Sequence, residues 1–204
     1  MKTVLASDNA GKLREFTALL APLGFEVVTQ ASLGITSAQE TGTTFEDNAL
    51  LKARHASRLS GLPALADDSG IEVDALGGRP GVYSARYAGP GATDSGNLQL
   101  LLRELTGVPP ERRTARYRCV LAFVRSPEDP LPVLAAGSWE GRILTAPRGD
   151  GGFGYDPVFL PQGAEQTAAQ MPAAAKNAVS HRARALVRLV ELLGPQAPRT
   201  ARSG

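Results

Sequence analysis

Four short segments carry residue types whose spacing could do chemistry. Asp67-Asp68-Ser69-Gly70 follows an apolar stretch at 63–66, and adjacent carboxylates at a strand end can supply one metal ligand and one base. Successive strand side chains point to opposite faces, so both could meet one ion only if the strand ends there, an ending Gly70 permits. Glu40, in a loop ahead of a helix, offers a further carboxylate. Ser7-Asp8-Asn9-Ala10-Gly11-Lys12 lies where a first strand should turn into a first helix. Free N–H groups at a helix start beside a lysine suit a phosphate, although the GxxxxGK[ST] pattern is absent.

Residues 149–157 place four glycines around Phe153 and Tyr155, with Gly154 between them and Asp156 following. That composition makes a poor core, but it lets backbone approach a flat ligand while Phe153 presents a ring for stacking. Lys176 precedes Ser180-His181-Arg182, where a His–Arg pair at a helix start can donate hydrogen bonds to carbonyl or phosphate oxygens. Each segment also has a plain structural reading: a capped turn, an exposed acidic turn, a glycine-rich hairpin, a solvated helix start. His55, among Lys52, Arg54 and Arg58, reads as a surface residue, and Cys119 as core. Arg112, Arg113, Arg116 and Arg118 form a basic cluster with only Tyr117 interleaved, too little aromatic surface for a nucleic-acid platform.

The elements that must position these groups alternate strand with helix. Strands are expected at 3–6, 25–29 and 63–66, and as a pair at 116–125 and 133–139. Helices are expected from Asn9, from Thr43 to Gly61 with a Thr43–Glu46 capping box, at 97–105, and at 180–193, where Leu186, Leu189, Val190 and Leu193 form one stripe. No internal repeat occurs and no linker separates independent domains. The pattern predicts an α/β fold in one domain spanning 1–193, followed by a disordered tail at 194–204.

Composition narrows the function classes. The 204 residues are 43% apolar and 21% charged with a formal net charge of +2, as in ordinary soluble proteins. No apolar run approaches the ~20 residues of a membrane span, and the N-terminus does not resemble a signal peptide. One cysteine rules out an intramolecular disulfide framework and points to a reducing compartment, most simply the cytoplasm. Charge is uneven: residues 1–100 carry eight bases against eleven acids, residues 101–204 fourteen against nine. Acidic and basic halves together could supply metal ligands and phosphate anchors.

Taken in order, SDNAGKLREF, TFEDNALLKA, LADDSGIEVDALGGRPGVYSARYAG, GSWEGRI, GGFGYDPVF and SHRARAL resemble the inosine/xanthosine triphosphate pyrophosphatase family, the Ham1-like hydrolases of noncanonical purine nucleotides. The resemblance covers about residues 3–193. It implies an elongated mixed β-sheet flanked by helices, two lobes around a central substrate cleft, and a homodimer. It also implies Mg²⁺-dependent cleavage of ITP, dITP and XTP to the monophosphate and pyrophosphate, cleansing the nucleotide pool, with no nucleic-acid or membrane partner. Carried onto this chain, Ser7, Asp8, Asn9, Ala10, Gly11 and Lys12 would hold the triphosphate. Glu40 and Asp68 would bind Mg²⁺, with Asp68 also taking the proton of the attacking water. Ser69, Phe153, Gly154, Tyr155, Asp156, Lys176, His181 and Arg182 would contact substrate. A Maf-like pyrophosphatase and a nucleotide-binding regulator without hydrolysis are the competing readings; Asp68 and Glu40 favour an enzyme over the second.

Overall fold

A computed structural model describes residues 1–194. The strands are β1 (Lys2–Ala6), β2 (Glu26–Thr29), β3 (Ala64–Val73), β4 (Thr114–Val124), β5 (Val133–Ile143) and β6 (Phe159–Pro161). The helices are α1 (Ala10–Leu20), α2 (Phe45–Ser60), α3 (Asp94–Glu104), α4 (Ala173–Val179) and α5 (His181–Leu193). The six strands form one mixed sheet in the order β2-β1-β3-β4-β5-β6, with β1 parallel to both β2 and β3 and β5 antiparallel to β6. The α/β expectation holds. The expected tail, from residue 195 on, lies outside the described residues. Among the described residues no helix is long and apolar enough to cross a membrane.

The chain divides into two compact units. The first comprises Met1–Asp68, Cys119–Gly137 and the segment from Arg182 onward; the second comprises Ser69–Arg118 and Ser138–His181. Each has its own apolar core, and β3, β4 and β5 each contribute residues to both units.

In the first unit, Phe16 and Leu20 of α1 pack with Leu5, Leu65, Leu121 and Phe123 of the sheet and with Leu186, Leu189 and Leu193 of α5. The α5 stripe is therefore the core-facing side that its spacing implies. α1 starts where Asn9 accepts a hydrogen bond from the Lys12 N–H at 3.0 Å. α2 starts one residue later than expected: Thr44, not Thr43, accepts the Asp47 N–H at 3.1 Å and donates to the Asp47 carboxylate at 2.7 Å. Either threonine has an acid three residues on, so spacing alone could not separate the two frames. The helix ends as expected at Gly61, whose φ of 69° lies in the left-handed region that favours glycine.

The second unit packs Ile71 and Val73 of β3 with Leu101 of α3 and Leu105 just past its end, Trp139 and Ile143 of β5, and Tyr155 and Phe159. The main correction to the sequence reading lies in β3. The strand does not stop at the acidic pair but runs on to Val73, because Ile71 and Val73 bury their side chains. Beyond Gly70, the Ile71 N–H donates to Ser84 Oγ at 2.9 Å. Glycine at 70 is needed for close approach rather than for a chain ending, since a Cβ there would collide with the Gly81 carbonyl and with Ser84 Oγ. β6 and α4 are the elements that the sequence patterning does not announce: one is three residues long and the other is seven, too short for a period to show.

Gly70→Ala should therefore destabilise the fold by about 1–3 kcal/mol, the usual range for inserting a methyl into packed surroundings. Urea unfolding measures it: the midpoint should fall with an unchanged slope, and an unmoved midpoint would mean that the loop at 81–84 yields without cost.

Candidate functional site

Continuation of β3 through the acidic pair sends Asp67 and Asp68 to opposite faces of the strand. Asp68 meets α2. Its Oδ1 lies 3.0 Å from Lys52 Nζ and its Oδ2 accepts from Asn48 Nδ2 at 3.2 Å. Asn48 and Lys52 are four residues apart and so share one helical face. Lys52 Nζ also reaches Glu40 Oε1 at 2.8 Å, so two carboxylates converge on one ammonium. Asn48 secures the loop that carries Glu40, its Oδ1 accepting the Gly42 N–H at 2.8 Å. Burial pushes the Asp68 carboxyl above the usual carboxylate range despite Lys52 and Lys12, with Glu40 adding to the rise. Burial opposes the charge of Lys52, but Asp67, Asp68 and Glu40 outweigh it and raise its pKa.

Asp67 has the opposite environment. Its side chain is fully buried, 2.8 Å from Lys12 Nζ and 3.9 Å from Arg182 Nε. Burial alone would raise its pKa, yet Lys12, Arg182 and Lys52 together hold it down at about 2. Arg182, itself buried, also bonds Glu15 of α1 at 2.7 Å. The N-terminal loop is organised around this pair. Ser7 Oγ accepts the Asn9 N–H at 3.3 Å, Asn9 caps α1, and Gly11 is buried in its first turn. Asp8 is turned to structural use, accepting from Gln30 Nε2 at 2.6 Å and from the Ser37 hydroxyl.

In the second unit, Gly152 and Gly154 take φ of 70° and 62°, conformations that allow the glycine-rich loop its tight path. Asp156 is the hub of this loop. It accepts the Phe153 N–H at 3.0 Å, Lys176 Nζ at 2.6 Å and the Tyr117 hydroxyl at 3.1 Å. Lys176 Nζ lies 4.9 Å from the Phe153 ring centre, a cation over one face of the ring. His181, nearly fully buried, stacks on Tyr117 at 4.7 Å with planes 9° apart. Tyr155 is core rather than surface, its hydroxyl donating to the Ser84 carbonyl at 2.8 Å. Ser69, half-buried, heads the second unit just beyond Asp68.

The structure thus gathers the sequence candidates into three groups: Lys12 and Arg182 on Asp67, Glu40 and Asp68 on Lys52, and Phe153 and Lys176 on Asp156. Sequence reasoning missed Lys52, Asn48 and Glu15. The i, i+4 spacing of Asn48 and Lys52 was the available signal; Glu15 gave none. His55 is half-buried, with Nε2 2.9 Å from the Thr36 carbonyl. Cys119 is core as expected, and burial pushes its thiol well above the usual range. Within the basic cluster, Arg113 is buried against the carbonyls of Leu105, Val108 and Leu144, and Arg116 pairs with Asp74 and Glu140.

Glu40 and Asp68 suit a hard cation, since both direct an oxygen at one point that an ammonium occupies. Among the described residues no group of three or more His, Cys, Asp or Glu is placed to hold a metal ion. Two carboxylates with phosphate oxygens and waters are, however, the usual ligand set of Mg²⁺.

Asp67→Asn should cost roughly 3–5 kcal/mol at neutral pH, because it leaves Lys12 and Arg182 buried without their shared anion. A depressed pKa gives stability that is present above the unfolded value and is lost as pH falls toward about 2. The gap between variant and wild type in urea unfolding should therefore narrow below about pH 4. A gap of constant size down to pH 2 would contradict the assigned charge.

Residues 3–192 match the model of the Ham1 family. The dITP/XTP pyrophosphatase of Methylococcus capsulatus is 58% identical over 192 residues, covering 94% of this chain and 96% of the relative. That of Ralstonia nicotianae is 60% identical over 195 residues, again covering 94% and 96%. A Ham1 protein structure from Coxiella burnetii superposes with a TM-score of 0.86 at 44% identity, covering 95% of this chain and 98% of the other. A nucleoside-triphosphatase / dITP/XTP pyrophosphatase from Mycobacterium abscessus gives 0.74 at 45%, covering 93% and 99%. With nearly its whole length matched by the family model and 58–60% of the aligned residues identical in these two curated relatives, this chain belongs to the Ham1 family.

Proposed function

We propose that the chain hydrolyses noncanonical purine nucleoside triphosphates (dITP, ITP and XTP) to the monophosphate and pyrophosphate, with Mg²⁺ as cofactor. The observation that carries the reading is the buried carboxyl of Asp68, raised in pKa and held by Lys52 and Asn48 beside Glu40, in a chain 58% identical to a named dITP/XTP pyrophosphatase. A carboxylate with a raised pKa is the better proton acceptor.

In this reading Asp68 orients a water and takes its proton as the water oxygen bonds to the α-phosphorus. The bond from that phosphorus to the α–β bridging oxygen breaks, and pyrophosphate leaves with the electron pair. Lys12, Lys52 and the N-terminus of α1 hold the phosphates, with Asp67 fixing Lys12 so that no charge must be reoriented during the reaction. When bound by Glu40 and Asp68, Mg²⁺ would neutralise phosphate charge. No serine, cysteine or histidine nucleophile enters. The Phe153 ring is assigned to the purine, with Lys176 on its opposite face.

His181 and Arg182 are assigned to base selection. Hypoxanthine and xanthine present a carbonyl at C6 where adenine presents an amino group, so donors there favour the former and go unpaired against adenine. A cytoplasmic location and a homodimer belong to the same reading; they rest on the resemblance and the lone cysteine.

Asp68→Asn keeps size but removes charge and basicity, so pyrophosphate release from ITP should fall at least ~100-fold with thermal unfolding little changed. Near wild-type turnover would remove Asp68 from the mechanism. Arg182→Ala should lower the ITP/ATP ratio of kcat/KM by about tenfold, the cost of one unpaired buried donor. An unchanged ratio with both activities reduced together would assign Arg182 to phosphate or to support of Asp67.

A further inference from the structure

Asp94 lies outside every motif assigned so far, yet it holds the loop that carries Phe153. It is the first residue of α3, after Thr93, whose side chain caps the helix by accepting the Gly96 N–H at 3.1 Å. The Asp94 carboxylate is exposed, but its Oδ2 accepts the Gly154 N–H at 2.8 Å, sixty residues away. The preceding N–H, of Phe153, is accepted by Asp156 at 3.0 Å. Two successive amides of a glycine-rich turn, with φ of 70° at Gly152 and 62° at Gly154, would ordinarily make an anion cradle. Here the protein fills it with its own carboxylates.

Two consequences follow. The N–H groups of residues 153 and 154 are already given to carboxylates, and phosphate would meet the Asp94 charge there, so the loop offers substrate the ring and not the backbone. The ring, for its part, is fixed from both sides: Asp156 grips its own N–H and Lys176, and Asp94 grips the next N–H from the end of a helix whose dipole favours an anion there.

We propose that Asp94 is a positioning residue for purine recognition, holding the Phe153 platform through Gly154. The inference rests on the assignment of Phe153 to the base and extends it to a residue that itself touches no substrate. Loss of the hydrogen bond frees the loop at Gly154 and weakens stacking, while Lys12 and Lys52, the lysines assigned to phosphate, are untouched.

The test measures binding of inosine monophosphate by calorimetry, inhibition by pyrophosphate, and steady-state kinetics on ITP for wild type and three variants. Asp94→Ala should weaken inosine monophosphate binding about tenfold, the low end of what base–aromatic stacking contributes, and raise KM for ITP similarly with kcat within about twofold. Its inhibition by pyrophosphate should stay as in wild type. Asp94→Asn keeps an acceptor oxygen and should restore binding to within about twofold. Thr93→Ala removes the cap of the same helix without touching Gly154, and should lower the melting temperature while leaving inosine monophosphate affinity unchanged. Unchanged affinity in Asp94→Ala, an equal loss in Thr93→Ala, or an equal loss of pyrophosphate affinity would overturn the proposal. Failure of wild type itself to bind inosine monophosphate would instead sink the assignment of the loop to a purine.

Discussion

The alternation of a β-strand determines what the two acidic neighbours in β3 can do. Because the strand runs straight through them, Asp67 and Asp68 leave it on opposite faces, and each takes its character from the face it is turned to. Asp67 enters a buried space with Lys12 and Arg182 and stays ionised down to about pH 2. Asp68 enters a space where burial dominates, and its charged form is harder to keep. Two identical side chains, adjacent in sequence, thus differ in kind: one is a fixed counter-ion, the other a carboxyl with a raised pKa, as the proposed base requires. The same separation of carboxylate roles by environment underlies many acid–base sites.

The strand could run on only because Gly70 lets the loop at 81–84 lie against it. This is also where the sequence was hardest to interpret. A glycine after two aspartates has the composition of a turn, and nothing local distinguishes a turn glycine from one kept bare for packing. The signal lay one and three residues on, in the buried pair Ile71 and Val73, which continue the period-two pattern past the interruption. Longer elements were easier: the Leu186, Leu189, Leu193 stripe and the Phe16, Leu20 face repeat often enough for the helical period to declare itself.

The candidate site divides in the same way. Residue types in unusual local company, such as the Phe153 loop and the acidic pair, were legible. Partners set by tertiary contact were not. Lys52 looks like any solvated helix lysine until Asp68 and Glu40 are brought to it, and Glu15 of α1 acquires a role only through Arg182, 167 residues away in sequence. Spacing within one helix can reveal that Asn48 and Lys52 share a face, but it cannot reveal what that face meets.

Lys12, Lys52, Lys176 and Arg182 are each held by a carboxylate that is itself buried. For Lys52, burial opposes the charge, but the carboxylates outweigh it and hold the ammonium charged before any anion arrives. The arrangement has a cost in the first unit. Asp67, Asp68, Glu40 and Glu15 set four negative charges against the three positive charges of Lys12, Lys52 and Arg182, leaving one negative. A triphosphate, with about four negative charges of its own, would approach a group of the same sign, and in a buried setting water screens that repulsion poorly. One divalent cation at Glu40 and Asp68, as proposed, would turn the balance from one negative to one positive. The proposed use of Mg²⁺ fits this balance: the acids that organise the cations also over-neutralise them, and added positive charge would make the group attractive to a polyphosphate.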